Sequence, residues 1–423
     1  MTMHSATLAI DETLRARRAA GERVLHLGFG EAGLPVPAGV AAALAGAAER
    51  NGYGAVVGSA EAREAAAGWF GRRGTPTGPD QVLFAPGSKA LLFALLLCIP
   101  GDVVLPRPAW VSYAAQSALA GKRVIGVPVP EEAGGVPDPA LLEGELARAR
   151  AAGAEPGVLV VTVPDNPTGT VARADHLREV CAIASRHGLA VIADEIYAEL
   201  VHGDGRSGEA GSAPRASDHL PERTVVTTGL SKSMALGGWR IGFARVPDGA
   251  WGRRLRAELT GVASEVWSSL AAPQQAAAAH VLQDPPEVTA HIARSGALHA
   301  AVAGAVHAEF TAAGARCRAP EAGFYLYPDF EPVRPALERQ GIATGRQLAD
   351  ALLSRYGVGV LPGASFGDAP EGLRARVATS LLYGDSAEQR WTSLHAEDPT
   401  SLPWVSDALS HLRTALGDLT ATT

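Results

Sequence analysis

The stretch TGLSKSMALGGWRIG, residues 228–242, holds one lysine, Lys232, between small residues, and one arginine, Arg240, eight positions on. A lysine in such a setting can form a Schiff base with an aldehyde cofactor. The arginine can bind a phosphate through two parallel N–H bonds. A molecule with both an aldehyde and a phosphate is pyridoxal 5'-phosphate (PLP), and the pair points to it. By themselves the two residues also fit a surface lysine and a salt-bridged arginine, as most Lys and Arg are. Further groups can converge on the same molecule. Asp194 ends a buried apolar run, where doubly wound sheets bind ligands, although a helix N-cap also explains an aspartate there. Asn166 lies in the proline-held loop PDNPTG, residues 164–169. Trp110 follows two prolines; its indole can stack on a flat ring or cover the edge of the core. Tyr53, in NGYG at 51–54, is either a phenol reaching a ligand or a packing residue.

Such residues need a scaffold that sets strand ends and loops side by side. From Gln81 the pattern provides one, with strands at 82–85, 102–105, 123–127, 158–163, 189–193 and 224–227. Helices fall between them, at 90–98 and around Leu177, Val180, Cys181 and Ala184, which share a face. The run 158–163 is apolar but for Thr162, as a parallel strand buried on both faces is. The turn Pro86-Gly87-Ser88-Lys89 leads into a helix, whose free N–H groups suit a phosphate. It lacks the full Walker or dinucleotide glycine pattern. Before this region helices are expected at 36–50 and 61–70. After it they are expected at 258–272, 273–282, 287–313, 347–356 and 405–416. Strands are expected within 324–330 and 358–363, and at 373–379, the last carrying Arg374 and Arg376.

Length and composition narrow the function classes. A chain of 423 residues has room for two or three domains, and 47% hydrophobic with 19% charged residues fits a soluble globular protein. A net charge of −7 offers no basic face for nucleic acid or an anionic membrane. Cys98, Cys181 and Cys317 are far apart and odd in number, which fits reduced thiols in a cytosolic protein rather than disulfides or a zinc site. The N-terminus has no long apolar segment of the secretory kind. The longest apolar run, 91–99, is about half a membrane span. A cytoplasmic protein without metal, membrane or nucleic-acid partner is the expectation.

Three pieces occur in order: DNPTG at 165–169, DEIY at 194–197 and SKSMALGGWRIG at 231–242. With them the chain resembles the class I/II aminotransferases, the fold-type I PLP enzymes similar to aspartate aminotransferase, from about Leu25 to the C-terminus. The resemblance implies an α/β fold: a large PLP-binding domain (49–286) with a mostly parallel central sheet flanked by helices, and a smaller α+β domain (287–423). Residues 1–48 would form an N-terminal arm and part of the small domain. Lys232 matches the Schiff-base lysine and Asp194 the carboxylate that pairs with the pyridine nitrogen. Tyr197 and Asn166 match the groups bonded to the ring 3-oxygen, and Trp110 the stacking aromatic. Gly87, Ser88 and Lys89 match the phosphate loop, and Arg240 the phosphate arginine. Tyr53 looks like the tyrosine that reaches the neighbouring subunit's phosphate, which implies a homodimer with shared active sites. Arg376 matches the clamp on the substrate α-carboxylate, with Arg374 as the alternative, and Gly30 the small-domain glycine near the substrate.

There are departures from the family pattern. Asp165 stands where the family usually has Asn. The entrance reads Gly30-Glu31-Ala32-Gly33 in place of Gly-Glu-Pro-Asp. Gly229 replaces a frequent Ser, with Ser231 beside the lysine instead. The segment GDSAEQRWTSLHAEDPTSLPW, 384–404, is longer than expected. The implied reaction moves an amino group between an L-amino acid and a 2-oxo acid through a Lys232 Schiff base, in amino acid metabolism. The alternative keeps the cofactor but eliminates or replaces a β- or γ-substituent, as lyases acting on S-adenosylmethionine do. A regulator fusing this fold to a DNA-binding domain is disfavoured, because about two dozen residues precede the fold and the chain is acidic. Side-chain specificity, in part from loops such as 202–206, is not readable.

Overall fold

The computed structural model describes residues 5–203 and 212–421. Along the chain Leu25–His26 is β1. The next seven strands are β2 (Val82–Pro86), β3 (Asp102–Arg107), β4 (Val124–Pro128), β5 (Pro156–Thr162), β6 (Ala190–Asp194), β7 (Thr224–Gly229) and β8 (Ile241–Arg245). They form one sheet in the order β2-β8-β7-β6-β5-β3-β4. All neighbours are parallel except the two pairs made by β8. The connection 230–240 between β7 and β8 is too short for a crossover helix, so β8 returns antiparallel. The strand cores are apolar because both faces are covered. Helices Ser88–Cys98, Val111–Leu119 and Ala250–Val266 pack on one face, and Ala60–Arg72, Pro139–Ala151, Ala174–Arg186 and Ala272–Val281 on the other.

This topology places the chemistry-bearing residues together. β2, β3, β5, β6 and β7 all run the same way, so their C-terminal ends share one edge of the sheet. The loop after β5 carries Asn166, β6 ends on Asp194, and the turn after β7 carries Lys232. β3 leads to Trp110 and β2 to Gly87 and Ser88.

A second core joins Leu25, Leu27 and Leu34 to residues from Leu298 to Leu419. There β1 pairs in parallel with β10 (Val358–Gly359). The strands β9 (Tyr325–Leu326), β11 (Leu361–Pro362) and β12 (Ala375–Ala378) make an antiparallel sheet, order β11-β12-β9. Helix Pro286–Ala312 gives Val288 to the first core and Leu298, Val302, Val306 and Phe310 to the second, so one helix spans both. A small cluster with Ile196, Tyr197, Phe324 and Tyr325 lies at the site. Among the described residues no helix is long and apolar enough to cross a membrane.

Several expected elements differ from those observed. The helix expected at 258–272 runs from Ala250 to Val266. Gly249 at φ 102 opens it, and Ser268 at φ 62 turns the chain before the next helix. The helix expected at 36–50 is only Ala38–Ala45. Among the α-helices and strands of the described residues, six were not anticipated: α1 (Ala6–Ala19), Val111–Leu119, Pro139–Ala151, β8, Arg334–Glu338 and Ala387–His395. The long segment 384–404 folds onto the second core as helix Ala387–His395. A capping box of Ser386 and Gln389 starts it, and the Trp404 indole N–H donates to the Tyr383 carbonyl at 3.1 Å.

Candidate active site

A cavity of about 570 Å³ opens at the shared strand edge. Of the site residues singled out from the sequence, Gly30, Ser88, Lys89, Trp110, Asn166, Asp194, Tyr197, Ser231, Lys232, Arg240 and Arg376 line it, and Gly87, Tyr53 and the alternative Arg374 do not. Gly87 lies just behind the wall, beneath Arg240. Tyr53 is 95% exposed on a loop outside the cavity.

Asp194 is 3% exposed. Its Oδ2 accepts a hydrogen bond from the Tyr113 hydroxyl at 2.7 Å, and that phenol also meets Thr162 Oγ1 at 2.8 Å. Its Oδ1 is buried without a partner. Burial pushes the carboxyl up to about 6, against the Tyr113 hydrogen bond, the Ile196 N–H and the charge of Lys232. Lys232 Nζ donates to the Gly30 carbonyl. Burial, then the charge of Arg376, bring its amine down to about 8. The chain has three lysines, Lys89, Lys122 and Lys232. Lys122 donates to the carbonyls of Ile99 and Gly101, away from the cavity, so two amines remain at the site. The turn holding Lys232 is sharp: Ala235 and Arg240 are left-handed at φ 55. That costs about 1–2 kcal/mol for each non-glycine residue.

Arg376 is 1% exposed and holds no carboxylate among the described residues. Its Nη2 donates to the Gly28 carbonyl at 2.6 Å and its Nη1 to Asn166 Oδ1 at 3.3 Å. The guanidinium lies 5.0 Å from the ring centroids of both Tyr325 and Phe366, and Nε has no partner. A desolvated cation with a spare donor is arranged to receive an anion. Arg374, the alternative, is engaged elsewhere, with Asp368 at 3.0 Å and Asp329 at 3.2 Å. Tyr197 meets the Tyr325 hydroxyl at 2.9 Å, and burial holds its phenol well above the usual range, hence protonated.

At the other end, Ser88 begins helix Ser88–Cys98. Gly87 sits at φ 89, and a Cβ there would overlap the Arg240 guanidinium. Lys89 Nζ lies 5.2 Å over the Trp110 ring, and burial and then Arg240 lower its pKa. Two cations and a helix N-terminus at one spot favour a phosphate. Asp165 is wedged beneath the loop and accepts from the Thr168 N–H at 3.1 Å and from its hydroxyl at 2.6 Å. Burial raises it to about 7.

These residues fit PLP. The unpartnered Oδ1 of Asp194 lacks the donor that a protonated ring nitrogen carries, and Gly87, without a Cβ, lets the Arg240 guanidinium lie against the start of helix Ser88–Cys98. Three polar partners in the site were missed from sequence: Tyr113, Thr162 and Tyr325. Tyr113 stood three residues after Trp110, a helical spacing that could have flagged it. The contribution of α1, through Thr7, Leu8, Asp11 and Arg15, was also missed, for want of a helix there.

Comparison with known proteins gives the family. Residues 22–381 match the family model for aminotransferase class I and II. The chain is 30% identical to an aspartate aminotransferase of Bacillus subtilis (strain 168) over 393 residues, 91% of this chain and 95% of that protein. It is 31% identical to an aspartate/prephenate aminotransferase of Cereibacter sphaeroides over 375 residues, 86% of this chain and 90% of the relative. The solved structure of aspartate aminotransferase from Thermus thermophilus with maleate superposes with a TM-score of 0.80 at 26% identity, covering 98% of this chain and 97% of that one. All three are named as aminotransferases, so the elimination alternative gains no support. With the fold, the cavity and these matches in agreement, the chain belongs to the class I and II aminotransferases and is a PLP-dependent aminotransferase of fold type I.

Proposed function

We propose that this enzyme moves an amino group between an L-amino acid and a 2-oxo acid, with Lys232 as the residue that bonds covalently to the cofactor. PLP, when bound, supplies an aldehyde that condenses with amines and a ring that withdraws electrons from the substrate Cα. The Lys232 amine is neutral more often than an ordinary lysine, which suits it to bond that aldehyde and, once displaced by substrate, to take the proton from Cα. Asp194 Oδ1 would hold the proton on the ring nitrogen, and Tyr113, itself bonded to Thr162, holds Asp194. Tyr197 and Asn166 would bond the ring 3-oxygen, and Trp110 would stack on the ring. Gly87, Ser88, Lys89, Ser231 and Arg240 hold the phosphate. Arg376 takes the substrate α-carboxylate, with Gly30 against it. The observation that carries this reading is the buried pair of Arg376, a cation without a carboxylate among the described residues, and Asp194, a carboxylate with an unpartnered oxygen, at one cavity with Lys232.

The fully exposed Tyr53 supports a homodimer in which it reaches the partner's phosphate. The two separate cores support a large domain near 49–286 and a small one from 1–48 and 287–423. Three free cysteines support a cytoplasmic location. Borohydride reduction of the loaded enzyme followed by peptide mapping tests the central claim. The cofactor's mass is expected on the Lys232 peptide, and its appearance on Lys89 instead would refute the assignment. Lys232→Ala should lose both the lysine-linked absorption and the transfer of amino groups to 2-oxo acids.

A further inference from the structure

Asp165 stands where the family usually has Asn, one residue before Asn166. It is 2% exposed, and a carboxylate so deeply buried needs partners to hold its charge. The cation that acts on it, Arg318, donates instead to the Pro130 carbonyl at 3.1 Å, and Glu131 and Glu132 share that cation. Two phenols also feel its charge. Tyr327 donates to Asp368 at 3.1 Å and Tyr113 to Asp194 at 2.7 Å, so both give their protons elsewhere.

Asp165 receives instead a file of donors that all point one way. The Gly134 N–H donates to Thr170 Oγ1 at 2.9 Å. The Thr170 hydroxyl can then donate to Thr168 Oγ1 at 2.7 Å, and the Thr168 hydroxyl donates to Asp165 Oδ2 at 2.6 Å. The Thr168 N–H reaches the same oxygen at 3.1 Å, and the Asn166 N–H also favours the charged carboxyl. Such a file needs an acceptor at its end. Oδ1 is buried without a partner, so a proton placed there has nothing to donate to. A proton placed on Oδ2 would meet two donors head on. The loop is built for the ionised carboxyl, while burial works against that ion. An asparagine could end the same file with its amide oxygen and would never titrate.

The loop has little slack. The Asp165 N–H donates to the Thr170 carbonyl at 3.0 Å, and the Gly169 N–H to the Asp165 carbonyl at 3.1 Å. A Cβ on Gly134 would overlap Asp165 Oδ2, and one on Gly169 would overlap the Tyr325 carbonyl, so the loop is packed from both sides. It presents Asn166, whose Oδ1 accepts from Arg376 Nη1 at 3.3 Å, which leaves the NH2 group as a donor in the cavity.

We propose that Asp165 is a positioning residue: its ionised carboxylate, at the end of the Gly134–Thr170–Thr168 file, aims Asn166, and protonation loosens that aim. This rests on the placement of Asn166 at the ring 3-oxygen given above. Burial brings the carboxyl up to about 7, so the aim is held above that pH and is lost below it.

The test uses the PLP-loaded enzyme and two readouts. The first needs no substrate: the lysine-linked absorption band is titrated with pH in wild type, Asp165→Asn, Thr168→Val and Asn166→Ala. Loss of a donor to the ring 3-oxygen shifts this band, so Asn166→Ala should move it at every pH. Wild type should show an extra step on the acid side that Asp165→Asn lacks. Thr168→Val, which removes the hydroxyl that ends on Oδ2, should move that step upward by about one pH unit. The second readout is kcat/KM for the amino donor that wild type uses fastest. Its value in wild type relative to Asp165→Asn should fall about tenfold from about pH 8.5 to about pH 6, as for a carboxylate that must be ionised and titrates near 7. Superimposable pH curves for wild type and Asp165→Asn would overturn the proposal, as would an acid step that stays in place in Thr168→Val. A band left unmoved by Asn166→Ala would refute the placement of Asn166 at the ring, and this inference falls with it.

Discussion

Burying an amine that must later be neutral has a cost in the cofactor-free enzyme, and Lys232→Met should reveal it. The Lys232 amine falls from 10.5 to about 8 on folding. The unfolded chain therefore binds that proton more readily. The penalty is fully present below about pH 8 and fades as the pH rises toward 10.5. Two and a half pKa units correspond to about 3 kcal/mol. Removing the amine also leaves the Gly30 carbonyl without its donor, a loss of about 1 kcal/mol. Apo Lys232→Met should then be more stable than apo wild type by about 2 kcal/mol at pH 7. Near pH 9.5 only about 1.4 kcal/mol of the penalty remains, so the advantage should shrink to a few tenths. Urea unfolding of both apo proteins at the two pH values gives the comparison directly. A variant less stable at pH 7, or an advantage that does not change with pH, would refute the reasoning about the buried amine.

The other predictions concern single groups. Asp194→Ala should lower kcat by more than about a hundredfold, because no acceptor remains for the ring nitrogen's proton; the initial rate with saturating PLP measures it. Arg376→Ala should lower kcat/KM for amino donors about 10- to 100-fold, the worth of a charge-assisted bidentate contact, in steady-state assays that vary the donor. Gly359→Ala should cost about 1–3 kcal/mol in denaturant unfolding, since its methyl would overlap Leu14 and push α1 off its seat. In sedimentation the enzyme should run as a dimer. Mixing inactive Tyr53→Ala with inactive Lys232→Ala protomers should restore activity in hybrids that hold one intact site.

Most of the strands, and the polar residues that meet at the cavity, were legible in the sequence. The buried parallel strands β5 and β6 read as largely apolar runs because both of their faces are covered. Loops at strand ends stood out because proline, glycine and isolated polar residues interrupt such runs. The helix Pro139–Ala151 and the strand β8 were missed. One has a mixed surface pattern, and the other is a short strand inside a glycine-rich stretch quoted for its chemistry. Contacts between distant segments separate Arg376, which lines the cavity, from Arg374, which does not. They are two residues apart on one segment, and the difference follows from Asp368 and Asp329 holding Arg374 while Arg376 is left without a carboxylate. The tertiary structure also supplied Tyr113 and Tyr325, which reach Asp194 and Tyr197 from 81 and 128 positions away along the chain. It brought α1 across the cavity through contacts with Gly28 and Gly359. Local pattern records what one segment buries. It carries no record of which distant segment does the burying, and at this site those distant partners set the charge and the aim of each reactive group.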